Sequence, residues 1–153
     1  MVQGVNDELF AAADSVARLA RILERAAAPL SLADFRVLSA VEQGEDRASR
    51  LAQRLAVGKP AISATVESLA KRGLIERAKV AGDQRAMALA LTPQGAVEFA
   101  QAKRRLTERV SEVADATADP AATIGALAQL GPAVERWRAG VEAAAAERAE
   151  VRA

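Results

Sequence analysis

The sequence predicts a mainly α-helical fold that contains one small β-hairpin. Thirty-nine of the 153 residues are Ala, which is the strongest helix former. Apolar residues recur every three or four positions along most of the chain, and this spacing gives a helix one apolar face. Near residue 90, large apolar residues alternate strictly with Ala, which is the period of two that is typical of a β-strand. The hairpin is therefore expected to lie between helices of a single domain, residues 1–153.

The first two predicted helices lie on either side of Pro29. Apolar residues spaced by three and four predict a helix over Asn6–Ala28, with a narrow stripe of the kind that packs on another helix. Ser31 and Asp34 form the pattern of a capping box, which predicts the start of the second helix. That helix is expected to end near Gly44.

Two shorter helices joined by a tight turn predict a helix-turn-helix motif. The first covers residues 48–55, and Val57-Gly58 supply the turn. The second has Pro60 in its first turn, where Pro is favoured, and ends at Lys71-Arg72-Gly73, since basic residues followed by Gly are typical stop signals. Helical spacing predicts an inward face of three apolar residues and an outward face of small or polar ones: Ile62, Val66 and Leu69 inward, and Pro60, Ala64, Ser68 and Lys71 outward.

A β-hairpin is predicted directly after the helix-turn-helix. Its strands are expected at residues 75–79 and 85–91, joined by a turn over Val80–Gln84. The second run alternates Met and Leu with Ala, which is the strand period of two. A helix-turn-helix followed by a hairpin is a winged helix, which we assign to residues 30–92.

Two long helices are predicted to complete the chain. Thr92-Pro93 combines an N-cap with a Pro at the first helical position, and this helix is expected to extend to about Thr117. Asp119-Pro120 repeats the same signal. Gly131-Pro132 interrupts the last helix, because Pro removes a backbone donor and clashes with the preceding turn. A kink, or a division into two pieces, is expected there.

The terminal helices predict a homodimer. Residues 5–28 and 93–148 form apolar stripes that a winged helix does not need, and a second copy of the chain would bury them. A homodimer would also place two basic halves side by side, as a palindromic DNA site requires. The alternative is that these helices fold back on their own domain as a monomeric bundle.

Charge is distributed unevenly along the chain. Residues 47–85 contain nine Lys and Arg and three acidic residues, a net charge of +6, whereas the remainder carries −5. This basic centre suits an anionic polymer, although a solvated basic face without a partner would look the same.

Several classes of function are disfavoured by composition. The chain has no Cys and no His, so thiol chemistry and the usual general base and metal ligands are missing. We find no phosphate-binding Gly-rich loop or paired carboxylates, and therefore expect no enzyme, cofactor or metal. The start of the chain lacks a signal-peptide pattern, and its longest uncharged run is too short to span a membrane. We expect a cytoplasmic protein without a membrane partner.

The winged-helix segment resembles the MarR family of bacterial regulators. The resemblance rests on Leu51-Ala52-Gln53-Arg54-Leu55, on Leu69 to Arg77, and on the string from Asp83 to Gly95. That string has the form D-x-R, three residues, then L-x-L-T-x-x-G, which is the signature of the family's wing. The resemblance implies a dimeric, ligand-responsive transcriptional regulator, usually a repressor, bound to palindromic DNA.

The resemblance also implies which residues contact DNA. The family places its recognition helix in the major groove, and the corresponding residues are Lys59, Pro60, Ala61, Ser63, Ala64 and Ser68. Ala64 departs from the family pattern, in which a long polar residue is common, so part of the recognition is expected from DNA shape. At the wing, Arg85 would enter the minor groove while Asp83 holds its guanidinium. Alternatively, Asp83 and Arg85 form an ion pair that only stiffens the hairpin.

The effector and the regulatory role remain open at this point. The family typically binds small aromatic or phenolic anions, and four residues are candidates for such a site, with core or surface roles as the alternative: Phe35, Arg36, Arg18 and Arg21. Lys71, Arg72, Arg77 and Lys79 are expected to be solvated or to contact phosphates. The competing functions are a ligand-independent activator and a winged-helix module that binds an acidic protein.

Overall fold

The computed structural model describes residues 2–45, 47–55, 57–80 and 83–150, and the side chains of residues 2, 3, 49, 78–80, 83–87, 149 and 150 lie outside this description. Six helices and two strands follow one another in the order α1 (Val2–Ala27), α2 (Leu32–Glu42), α3 (Ala48–Leu55), α4 (Lys59–Lys71), β1 (Ile75–Val80), β2 (Asp83–Leu91), α5 (Pro93–Asp115) and α6 (Pro120–Glu150). The chain forms two compact units, residues 1–109 and 110–153. The prediction of a mainly α fold with a hairpin is confirmed.

Helix α2 begins with the predicted capping box. The Ser31 hydroxyl accepts a hydrogen bond from the Asp34 backbone N–H at 3.0 Å, and the Asp34 carboxylate accepts one from the Ser31 N–H at 3.0 Å. Two backbone donors that the helix itself cannot satisfy are thereby paired. These contacts fix the point at which the chain enters the helix.

Helices α2 and α4 end in the same way, each with a Gly in the left-handed conformation. Gly44 has φ +89° and Gly73 has φ +69°. After α4, the N–H of Leu74 donates to the Leu69 carbonyl at 2.9 Å, and that of Gly73 to the Ala70 carbonyl at 3.0 Å. This pairing is the Schellman motif, in which Gly avoids the steric cost of a positive φ. The predicted stop signals are confirmed.

The core of the first unit lies beneath the helix-turn-helix. It combines apolar residues from α2, α3, α4, the hairpin and the first half of α5. The largest fully buried side chains are Phe99, Leu38, Leu51, Leu69, Leu74 and Val37.

Helix α5 departs from the expected pattern. We predicted that its apolar stripe would not be needed by the winged helix, but Phe99 and Ala102 belong to the core. The prediction is wrong for this half of α5, because the hairpin ends directly at its first turn and brings its apolar face over α2. The Phe99 ring lies 5.1 Å from that of Phe35, measured between centroids.

The β-hairpin is longer than predicted. Strands β1 and β2 pair antiparallel from Ile75 opposite Leu91 to Val80 opposite Asp83, with an irregularity between Lys79 and Val80. The predicted turn over Val80–Gln84 is therefore too wide, because backbone pairing extends beyond the alternating apolar residues that reveal a strand in sequence. Residues 81 and 82 lie outside the described part.

Thr92 and Gly95 join the hairpin to α5. The Thr92 hydroxyl donates to the Gly73 carbonyl at 2.6 Å and accepts from the Gly95 N–H at 2.9 Å. The Thr92 N–H donates to the Leu74 carbonyl at 3.1 Å. A Cβ atom on Gly95 would lie 1.8 Å from the Leu74 carbonyl oxygen. Thr92 therefore acts as the predicted N-cap, and Gly95 permits the close approach.

Helix α1 is held at its end and exposed along its length. Arg105 of α5 donates from Nε to the Ala26 carbonyl at 3.0 Å and from Nη2 to the Ala27 carbonyl at 3.3 Å. A cation is favourable there, because the last carbonyls of a helix carry negative partial charge. Towards the beginning of α1, the side chains of Val5, Leu9, Phe10 and Val16 are exposed.

Helix α6 begins as predicted but does not divide. The Asp119 carboxylate accepts from the Ala122 N–H at 2.9 Å, as an N-cap does. The helix then runs continuously to Glu150 with Pro132 inside it. Of the two outcomes expected at Gly131-Pro132, a division into two pieces is wrong, because one Pro removes a single backbone donor while Ala, Leu, Glu and Arg on both sides favour helix. A kink at this point stays a prediction.

Apolar side chains are exposed along α6, and they include Ile124, Leu130, Val134, Trp137 and Val141. Trp137 has 68% of its surface accessible. Among the described residues, no helix is long and apolar enough to cross a membrane.

We predict that Gly95→Ala destabilises the protein by about 2 kcal/mol or more, the usual cost of forcing extra atoms into a packed site. The added methyl would clash with the Leu74 carbonyl, which is backbone and cannot rotate away. Chemical denaturation of the parent and the variant measures the difference. Gly125→Ala is the matched control, since a Cβ atom at Gly125 meets nothing within 4 Å. It should stabilise α6 by up to about 1 kcal/mol, and an equal response of both variants would contradict this account.

Candidate nucleic-acid interface

Helix α4 has one buried face and one exposed face. Ile62, Val66 and Leu69 are at most 2% accessible and anchor the helix in the core. The six positions expected to face a DNA groove are all exposed: Lys59, Pro60, Ala61, Ser63, Ala64 and Ser68. This arrangement agrees with the helical spacing in the sequence.

The first turn of α4 faces solvent with Lys59 beside it. Gly58 is the N-cap and makes no side-chain hydrogen bond, and Pro lies within the first two positions. The start of a helix carries positive partial charge, to which the Lys59 ammonium adds. This end of α4 is suited to contact with a phosphate.

Glu67 and Lys71 form an ion pair on the exposed face, with 2.8 Å between Lys71 Nζ and Glu67 Oε1. The hydrogen bond and charge of Lys71 lower the pKa of Glu67, and the charge of Arg77 adds to this effect. Glu67 was not predicted as a site residue, because donors and small side chains are the groups expected on a face that contacts DNA. The signal was present, since residues four apart on a helix are neighbours.

Arg72 is directed away from the exposed face of α4. Its Nη1 atom donates to Asp34 Oδ2 at 2.9 Å, and Nη2 donates to the Pro29 carbonyl at 3.4 Å. Asp34 is buried, and its side chain is only 12% accessible. The contact joins the end of α4 to the start of α2, so Arg72 has a structural role rather than the solvated or phosphate-contacting role that we predicted.

A cleft of about 450 Å³ separates α4 from the base of the hairpin. Val66, Ile75 and Leu89 contribute apolar surface to it, while Lys71 and Arg77 contribute positive charge. On its other side α4 borders a cavity of about 340 Å³, to which Ala64 and Ser68 contribute. Glu67 and Lys71 line both spaces, so this pair occupies the middle of the exposed face.

The wing residues are described only in part. The backbones of Asp83 and Arg85 lie in β2, and Asp83 pairs with Val80 at the far end of the hairpin. Their side chains lie outside the described part of the structure. The ion pair between them and the contact of Arg85 with a minor groove therefore stay predictions.

The four residues considered for effector binding are engaged elsewhere or exposed. Phe35 packs against the core, and Arg36 Nη2 donates to the Leu55 carbonyl at 2.8 Å. The cavity beside them is about 130 Å³. Arg18 pairs with Asp14 at 2.8 Å, and Arg21 is exposed. These contacts favour core and surface roles.

Within the described ranges, no three His, Cys, Asp or Glu residues are grouped to hold a metal.

Part of the chain is similar to a known family, and the whole fold is similar to solved structures. A MarR family model matches residues 28–86, which include α2, α3, α4 and β1. The solved transcriptional regulator BldR from Sulfolobus solfataricus is 25% identical and has a TM-score of 0.60, over 84% of this chain and 92% of its own. Over residues 28–86 this chain is therefore similar to the MarR family. A search of curated proteins finds no match.

Two other similar solved structures contain DNA. The transcriptional repressor CouR, bound to a 23-mer duplex, is 24% identical with a TM-score of 0.69, over 82% of this chain and 90% of its own. The M. tuberculosis regulator MOSR, in complex with DNA, is 23% identical with a TM-score of 0.60, over 85% of this chain and 97% of its own. The likeness in each case is one of fold.

We predict that Asp34→Ala costs about 3 kcal/mol of stability, because it removes the capping box and leaves Arg72 without its carboxylate partner. Arg72→Met should cost about 1 kcal/mol, since a third of this side chain is accessible. The double variant should be more stable than the sum of the two losses implies, by at least about 0.5 kcal/mol. Urea denaturation of the four proteins measures this coupling.

Arg18→Met is the control for the loss of an exposed ion pair, and it should change stability by less than about 0.5 kcal/mol. Strict additivity of Asp34→Ala and Arg72→Met would contradict the proposed link between α2 and α4.

Proposed function

We propose that the protein is a sequence-specific, double-stranded-DNA-binding transcription regulator that acts as a homodimer, most simply as a repressor. The observation that carries this proposal is the exposed face of α4, which presents small and polar side chains within a segment of net charge +6. A convex helix with small exposed side chains fits the major groove, which is about 12 Å wide. The basic surroundings would hold the phosphates.

Each candidate residue has a distinct role in this proposal. Lys59 contacts a phosphate or a guanine, and Ser63 donates to a base or a phosphate. Ala61 and Ala64 can make only apolar contacts, which suit thymine methyl groups. Arg85 of the wing enters the adjacent minor groove, and Asp83 orients it. Pro60 and Ser68 complete the surface, as the family resemblance implies.

Dimerisation is supported by apolar side chains that the described contacts leave exposed. Helix α1 exposes Val5, Leu9 and Val16, and helix α6 exposes Val134 and Trp137. Exposed apolar residues at helical spacing are typical of surfaces that pack against another helix. A two-fold dimer would present its recognition helices to two half-sites about 10 bp apart.

Regulation by a small aromatic or phenolic anion follows from the family resemblance, and we retain it as part of the proposal. The site would lie elsewhere than at Phe35 and Arg36, which are engaged in the core and with Leu55. We propose a cytoplasmic location, with access to genomic DNA. A ligand-independent activator and a protein-binding module are the competing functions.

We predict that selection from random duplexes yields a pseudo-palindrome with half-sites about 10 bp apart. The affinity should fall by about a thousandfold between 50 and 200 mM salt, the loss expected for about six neutralised phosphates. Fluorescence anisotropy with the selected duplex measures the affinity and its dependence on salt. Arg85→Ala should weaken binding and remove any preference for A·T pairs flanking the half-sites.

Equal affinity for the selected and random duplexes, or binding that does not respond to salt, would contradict the proposal. Failure to bind any duplex would favour the protein-binding module instead.

We predict that the protein sediments as a dimer at micromolar concentration and that Trp137→Glu shifts it towards the 16.0 kDa monomer. A carboxylate in an apolar interface is unfavourable because it loses its hydration. Ala139→Glu is the matched control, since it adds the same charge at an exposed position of α6 that helical spacing places opposite Leu130, Trp137 and Val141. A monomeric parent protein, or an equal effect of both variants, would contradict the proposed dimer.

A further inference from the structure

Glu67 is the one acidic residue of α4, and it lies in the middle of the exposed face. Its side chain is 66% accessible, so it makes little contribution to the core. Elsewhere on this face, between Pro60 and Ala70, the exposed side chains are all small: Pro60, Ala61, Ser63, Ala64, Ser68 and Ala70. Glu67 and its partner Lys71 therefore extend furthest from the helix.

A carboxylate in this position is unfavourable near DNA unless a base compensates for it. Glu67 is ionised at neutral pH, since even the ordinary pKa of a Glu lies well below 7, and phosphates would repel that charge. An ionised carboxylate can only accept hydrogen bonds. In the major groove, the available donors are the N4 amino group of cytosine and the N6 amino group of adenine.

The pairing of Glu67 with Lys71 distinguishes between these two bases. An acceptor and a donor lie side by side, 2.8 Å apart. A G·C pair presents the matching pattern, with the cytosine N4 donor beside the O6 and N7 acceptors of guanine. An A·T pair has acceptors on both sides of its N6 donor, at adenine N7 and thymine O4, so a carboxylate on N6 would meet an acceptor that Lys71 does not cover. Guanine instead offers O6 and N7 together to one ammonium, and the other side of cytosine N4 carries no acceptor.

We propose that Glu67 and Lys71 act together to recognise one G·C pair in each half-site. The Glu67 carboxylate accepts from cytosine N4, and the Lys71 ammonium donates to guanine O6 or N7. This inference rests on the proposed function, and it makes these two residues determinants of sequence specificity rather than of general affinity.

The test is selection of binding sites by the parent and by three variants. The parent should select a G·C pair at one inner position of each half-site, by at least about tenfold over A·T. Glu67→Gln should change that preference towards adenine, because Gln pairs with adenine N6 and N7. Lys71→Met should lose the preference for guanine at the same position. Glu76→Gln removes the same charge from the rim of the same cleft and should leave the selected sequence unchanged.

The possible outcomes separate the two proposals. If the parent selects no sequence, the proposed function fails, and the inference fails with it. If the parent selects a palindrome and Glu67→Gln selects the same bases, DNA recognition stands and the inference is overturned. A uniform gain in affinity for all duplexes on Glu67→Gln would also overturn it, since the carboxylate would then only repel the backbone. Because both side chains are exposed, the melting temperatures should match that of the parent.

Discussion

The Asp34 carboxylate is the contact on which the arrangement of the winged helix depends. It accepts from the Ser31 N–H and from Arg72, and so binds the start of α2 to the end of α4. The Schellman motif at Gly73 then sets the direction in which the chain leaves α4. A carboxylate that is largely withdrawn from water and bonded to both a backbone donor and a guanidinium has few alternative positions. Helix α4 therefore has a defined orientation relative to α2.

This constraint also changes the charge that the exposed face of α4 presents. Arg72 is bound to Asp34, and Lys71 is paired with Glu67. The net charge of residues 47–85 already subtracts Glu67, but Asp34 lies outside this segment, so the charge of Arg72 is neutralised by a carboxylate that the count omits. Lys59 at the start of the helix carries its charge at a separate point. Contact with DNA would then depend on where the remaining charges lie more than on their number.

The sequence predicted features that depend on neighbouring residues and missed those that depend on distant ones. Ser31, Thr92 and Asp119 were predictable as caps, since each bonds a backbone N–H three residues later. The bond between Arg72 and Asp34 spans 38 residues and leaves no local pattern. The burial of Phe99 depends on where the end of the hairpin places the first turn of α5. The spacing of apolar residues along the sequence does not reveal that position.

For the candidate interface, helical spacing was enough to predict the exposed face of α4. Glu67 was not predicted as a site residue, because an acidic side chain repels phosphate and is not expected on a DNA-binding face. The continuity of α6 through Pro132 was not predictable from the Pro alone, because the outcome depends on the summed helix propensity of its neighbours.

The bonds of Thr92 and Arg105 have a further, mechanical consequence. Between them α5 is a rod about 20 Å long, attached to the hairpin base at one end and to the last turn of α1 at the other. Because one helix holds both parts, the length of α5 sets the distance between the hairpin base and the last turn of α1.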